Sequence, residues 1–170
     1  MRQRSLAHLV LLALVLAACA PSTAGQLEAN KALAREFVAA LNAADWDRLD
    51  DLLTEDFQRH SQATTEMQVN SRAEFYQLQQ LYLASFPDQR VTVEMMIAEG
   101  DKVAAYATYA GTNTGPLGDN PATGRSAELQ FLSIFRVEDG KIAELWVEWD
   151  NVAMLTQLGL FPPPAPAGGG

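Results

Sequence analysis

Residues 127–150 read AELQFLSIFRVEDGKIAELWVEWD, and this stretch decides the fold. Asp139-Gly140 is a strong two-residue hairpin signal, because both residues tolerate the left-handed backbone that a tight turn requires. The flanking runs, Ala127–Val137 and Ile142–Trp149, are rich in β-branched and aromatic residues and predict two antiparallel strands. Upstream, Val91–Ile97 and Val103–Thr112 flank Glu99-Gly100-Asp101 and predict a second hairpin, and Phe57–Gln62 predicts a shorter strand.

Ahead of these strands the apolar period changes from two to nearly four. Leu33, Phe37 and Leu41, with Ala34 and Val38, form a helical stripe, and Lys31, Arg35 and Glu36 lie elsewhere on the wheel. Asp45 is a plausible N-cap for a short helix carrying Trp46, Leu49, Leu52 and Leu53. Its acids, Asp45, Asp47, Asp50 and Asp51, lack the glycine that a calcium loop needs for its sharp turn, and read as a solvated face. Ser71-Arg-Ala-Glu74 is a capping box opening a third helix with Phe75, Leu78, Tyr82 and Phe86, stopped by Pro87. Leu155–Leu158, ended by Gly159, predicts a last helical turn. Helices followed by an antiparallel meander give an α+β fold, with three N-terminal helices on one face of the sheet.

The two ends read differently from the middle. Arg2 and Arg4 precede the apolar run Leu9–Leu16, which is too short to span a bilayer and suits a secretory signal. Phe161 is followed by Pro162, Pro163, Pro164 and Pro166 and then by three glycines, a composition that favours a flexible tail. The expected organisation is a signal peptide over 1–18, a tether over 19–25, one domain over 26–161 and a Pro/Gly tail over 162–170. Net charge −9 from 12 Lys+Arg and 21 Asp+Glu argues against a nucleic-acid partner, which needs clustered cations. One cysteine excludes an intrachain disulfide, and with two histidines it cannot complete a usual zinc site, so no metal is expected.

Two resemblances enter on these residues. Leu16-Ala-Ala-Cys19 resembles the bacterial lipobox, which implies acylation of Cys19 and cleavage before it. Such an anchor, of several acyl chains, holds a protein stably at a membrane. Ala20, in place of an acidic residue, points in Gram-negative cells to the outer membrane. The expected location is thus the bacterial cell envelope, with an ordinary signal peptide cut near Ala18 or Ala20 as the alternative. Cleavage before Cys19 removes Arg2 and Arg4, leaving the side-chain charge two units more negative than −9.

Gly111-Thr-Asn-Thr-Gly115, continued by Pro121-Ala-Thr-Gly-Arg125, resembles the GTHxG…PxTGK loop of the SnoaL-like polyketide and ester cyclases. Gly140-Lys-Ile-Ala-Glu-Leu-Trp146, Asp150 and Gln157-Leu-Gly159 resemble their closing GKIxExW…D…QLG signature. The resemblance implies a nuclear-transport-factor-2-like cone: a curved antiparallel sheet wrapped by helices around a pocket for a hydrophobic small molecule. It also implies aldol-type cyclisation without metal or organic cofactor, with Asp150 as acid/base, and homodimers are frequent among such cones. His60 lies near where many relatives carry a histidine. Asn113 replaces the histidine of the GTH motif, and Tyr106 stands where many relatives carry arginine. Both still donate hydrogen bonds, but neither adds positive charge.

Strand alternation puts Glu144, Trp146, Glu148 and Asp150 on one face and Leu145, Val147 and Trp149 on the other. An aromatic ring among acids suits a pocket wall, so Trp146 and Glu148, with Tyr106, Asn113 and Phe131, are the expected substrate contacts. Asp150, through the resemblance, and His60 are the expected catalytic residues. The alternatives are that Asp150 only caps the last helical turn, with Glu144 and Glu148 solvated, and that His60 is a half-exposed strand or turn histidine. Phe37, Leu41, Phe75 and Tyr82 are further candidates for pocket or core. Epoxide hydrolysis on a related cone needs an Asp-Arg-Asp set, and Arg136 has no aspartate companion on its strand. The competing expectation is a non-catalytic ligand-binding or protein-interaction lipoprotein.

Overall fold

A computed structural model of the 170-residue chain describes residues 23–64 and 68–161. The signal peptide, Cys19, most of the tether and the Pro/Gly tail lie outside the described residues. Helix α1 (Thr23–Ala43) starts inside the stretch expected as tether, so residues 23–25 are helical. It is followed by α2 (Trp46–Leu52), β1 (Leu53–His60), α3 (Arg72–Ser85), β2 (Arg90–Glu99), β3 (Lys102–Thr112), β4 (Ser126–Glu138), β5 (Lys141–Trp149) and α4 (Asn151–Leu158). The fold is α+β, as expected.

The local signals explain the boundaries. Asp139 and Gly140 take φ of 48° and 77° in the β4–β5 turn, the left-handed pair that the dipeptide favours. Asp45 and Ser71 cap α2 and α3, accepting from Arg48 N and Glu74 N. The Glu74 carboxylate returns to Asn70 N at 2.7 Å, completing a box one residue earlier than the usual reciprocal bond. Asp150 caps α4 in the same way, and this helix is a full turn longer than the Leu155–Leu158 segment expected.

The five strands form one sheet in the order β1-β5-β4-β3-β2. β2 through β5 are the antiparallel meander, but β1 pairs parallel with β5. The fully antiparallel sheet expected from the hairpins is corrected at this one edge. The reason is the connection: β1 comes before the hairpins and reaches β5 only through α3 and the meander, so no tight turn forces it to run antiparallel. At the opposite edge, Asn42 of α1 exchanges hydrogen bonds with both Val91 N and Val91 O at 2.8 Å, extending the ladder with an amide side chain.

Helices α1 and α3 pack on one face of the sheet. Phe37, Phe57, Phe75 and Phe135 meet there at ring separations of 5.1–5.9 Å, within the range for favourable aromatic pairs.

Candidate functional site

The register builds the site in rows. On the helix-covered face, Val91, Tyr109 and Leu129 form one row, and Val93, Ala107, Phe131 and Trp149 the next. Ala105, Ser133 and Val147 follow, then Phe135, Leu145 and Arg59. The middle positions, Ala105, Ala107 and Ser133, are small. The helices above supply larger side chains, among them Phe37, Leu41, Phe75 and Tyr82, which close over that floor. Small residues under large ones leave a cavity of about 150 Å³. A dry apolar cavity of roughly that volume accepts a benzene-sized molecule.

Most of this lining is apolar, and its polar groups are few. Arg59 is 7% exposed, donates from Nη1 to Thr64 Oγ1 at 3.1 Å, and holds Cζ 5.7 Å from the Trp149 ring centroid. Burial pushes its guanidinium below the usual range, against upward pulls from Tyr82 and Glu148. Arginine stays protonated under such a shift, so the cavity carries a positive charge. Burial, with Tyr82 and Asp88 adding to it, drives the Tyr109 hydroxyl well above the usual phenol range, keeping it a neutral donor. Trp149 Nε1 is buried with no acceptor among the described residues. No carboxylate and no histidine is among the described residues lining the cavity.

Strand alternation therefore works opposite to the face expected. Leu145, Val147 and Trp149 line the cavity; Glu144, Trp146 and Glu148 point to the uncovered face of the sheet. There His60 stacks on Trp146 at 4.9 Å between ring centroids and lies 2.9 Å from the Glu144 carboxylate. Arg136 Nε donates to the other oxygen of Glu144 at 2.6 Å. Glu148 accepts from Gln62 N at 2.7 Å, tying the chain after β1 to β5. Tyr106 sits on the same outer face, in a row with Met95 and Leu132.

The other expected site residues separate further. Phe131 lines the cavity. Asn113 is fully buried yet outside the lining, inside the loop between β3 and β4. Its amide donates to Gly115 O at 2.7 Å and Ser85 O at 3.3 Å and accepts from Thr123 N and Oγ1, so it fastens the loop to the end of α3. Asp150 is exposed and accepts from Ala153 N at 2.9 Å, while its neighbours Trp149 and Met154 line the cavity. The structure thus brings His60, Trp146 and Glu144 together on the outer face and leaves Asp150 apart from them.

Two signature segments do meet. A side chain at Gly115 would overlap the Ala84 carbonyl oxygen at 1.9 Å, and one at Gly159 would strike the Arg125 guanidinium at 2.5 Å. The loop motif is therefore seated on α3 and against the end of α4: Gly115 answers close approach, and Gly124 and Gly159 hold positive φ of 69° and 75°. Arg59 was missed in sequence, although it falls in phase with the buried Phe57 on β1. A cation at an apolar-phase position of a strand is the signal that could have found it.

Comparison with known proteins agrees with this geometry. The family model for the SnoaL-like polyketide cyclases matches residues 31–158. The chain is similar to IdmH of Streptomyces antibioticus, described as a candidate polyketide cyclase, at 32% identity and a TM-score of 0.68 over 77% of this chain and 99% of that one. AclR of Streptomyces galilaeus, described as a candidate hydroxylase, is similar at 29% identity and a TM-score of 0.69, over 80% and 99%. A candidate SnoaL-like cyclase from Jannaschia sp. CCS1 shares the fold at 21% identity and a TM-score of 0.72, over 80% and 95%. Curated proteins gave no match. On the extent of the family match and its agreement with this fold, the chain belongs to the SnoaL-like polyketide cyclase family.

Proposed function

We propose that this protein holds a small, largely apolar molecule between its helices and the inner face of its sheet, as an exported lipoprotein anchored through Cys19. One observation carries the binding reading: the small residues Ala105, Ala107 and Ser133 keep open a cavity of about 150 Å³ that larger side chains would fill. Filling space with a ligand in place of side chains gives up core packing, a cost that a binding role offsets.

A second reading is acid/base turnover, such as aldol-type cyclisation or isomerisation through Asp150. The likeness to IdmH, described as a candidate polyketide cyclase, favours it. In that reading the Asp150 carboxylate leaves the Ala153 amide and turns toward the cavity mouth, beside Trp149. A second copy of the chain would pack on the outer face, where Met95, Tyr106, Leu132 and Ile134 are exposed.

Native mass spectrometry of the purified full chain tests both ligand and assembly. We expect a retained small hydrophobic molecule, released on denaturation, and a dimer mass. A mass with no adduct from several expression hosts, together with no uptake of small aromatic probes, would refute the binding reading. For the anchor, Cys19→Ser is expected to abolish palmitate labelling and to release the protein from membranes; unchanged fractionation would refute it.

A further inference from the structure

Among the described residues lining the cavity Arg59 is the charged one, and it makes few hydrogen bonds for a buried guanidinium. A buried guanidinium is ordinarily paired with a carboxylate or held by a full set of hydrogen bonds. Here, among the described residues, it has no ion pair. Among the described residues its fork of five donors gives one side-chain hydrogen bond, to Thr64 Oγ1, and its Cζ lies over the Trp149 ring. Glu148, a carboxylate whose charge acts on it, lies on the other face of the sheet and accepts from Gln62 N. Beside the guanidinium, Trp149 Nε1 is a second buried donor without an acceptor. Donors therefore gather at this end of a largely apolar cavity, with no acid among the described lining residues to meet them.

We propose that the ligand is a small carboxylic acid with an apolar body, its carboxylate received by the Arg59 fork and the Trp149 indole N–H. The proposal rests on reading the cavity as a ligand pocket and names the chemistry that pocket selects. A carboxylate matches the planar fork in geometry as well as charge, and desolvated charge-assisted hydrogen bonds are the strong ones. The apolar body would lie over Ala105, Ala107 and Phe131. A neutral hydrocarbon of the same shape would leave both donors unsatisfied.

Isothermal titration of the full chain with benzoate and with benzyl alcohol, at pH 7, tests this. The acid is expected to bind about ten- to a hundredfold more tightly than the alcohol. Arg59→Gln is expected to remove that preference, so that the acid binds no more tightly than the alcohol. Trp149→Phe, which keeps the ring, is expected to reduce the preference by a smaller factor. Equal affinity of the wild-type chain for acid and alcohol would overturn the carboxylate assignment and leave the pocket reading standing. Binding of neither probe would overturn both. A preference surviving in Arg59→Gln would place the anion elsewhere and overturn the assignment. If Arg59→Gln does not fold, the wild-type comparison and Trp149→Phe decide.

Discussion

The two faces of the sheet carry side chains one residue apart along the same strands, yet they do different work. The inner row Val93, Ala107, Phe131 and Trp149 sets one small residue among larger apolar ones under a helical roof. The outer row Met95, Tyr106, Leu132 and Glu148 is open to solvent. Titratable clusters gather outside, around His60, Glu144 and Arg136, where hydration makes charge cheap. Inside, among the described residues, Arg59 is the cation in a largely apolar setting. In this fold a cavity is marked by small residues at inward positions, and chemistry-bearing residues in a row mark a face that water can reach.

The largest expected effect separates the faces directly. Phe135 is 2% exposed and packs edge-on against Phe37, whereas Leu132, three residues earlier on the same strand, is 60% exposed. Phe135→Ala is expected to cost about 3–5 kcal/mol in urea denaturation, as a large core truncation does. Leu132→Ala is expected to stay within about 0.5 kcal/mol in the monomer. A large loss at Leu132 that grows with protein concentration would instead show the outer face buried between two copies.

This contrast also explains what was legible in the sequence. Turn dipeptides and caps act over a few residues, so Asp139-Gly140, Asp45 and Ser71 could be read without knowing the fold. The period of β5 was equally legible, and it correctly divided Leu145, Val147 and Trp149 from Glu144, Trp146 and Glu148. Which set faces the helices was not, because Trp146 and Trp149 offer rings to both sides and acids beside a ring resemble a site. Asn113 shows a related limit. Its buried amide serves four backbone and side-chain partners of its own loop and of α3, and a motif position alone does not reveal that commitment. The parallel placement of β1 depends on long-range pairing, which local patterns do not encode.

The outer cluster should respond to acid in a defined sense. Burial pushes the Glu144 carboxyl up, but hydrogen bonds and charge from His60 and Arg136 outweigh it and hold the group below the usual carboxylate range. A depressed folded-state pKa contributes stability above the unfolded value, and that contribution is lost as pH falls through the folded value. Glu144→Gln is therefore expected to lower stability by about 1 kcal/mol or less at pH 7, since the group remains partly solvated. The gap between variant and wild type should close as the solution is acidified below the ordinary carboxylate range. A gap of the same size at pH 7 and at pH 3 would remove the ionic account and leave a packing one.

The smallest stability effect, that of Asp150→Asn, carries the sharpest functional contrast, because Asp150 follows the last strand as the cap of α4. As the α4 cap it accepts from Ala153 N, a task that asparagine performs about as well. Asp150→Ala is expected to cost about 0.5–2 kcal/mol, and Asp150→Asn only a few tenths. An amide cannot take up a proton as a carboxylate does. If the protein turns over its ligand through Asp150, the Asn variant should lose about a hundredfold or more in rate with its stability and ligand binding intact. If the residue serves only the helix, urea denaturation and ligand affinity of the Asn variant should match wild type, and any turnover should be unchanged. Substituting one oxygen by nitrogen thus separates cap from acid at a position where both readings require the same fold.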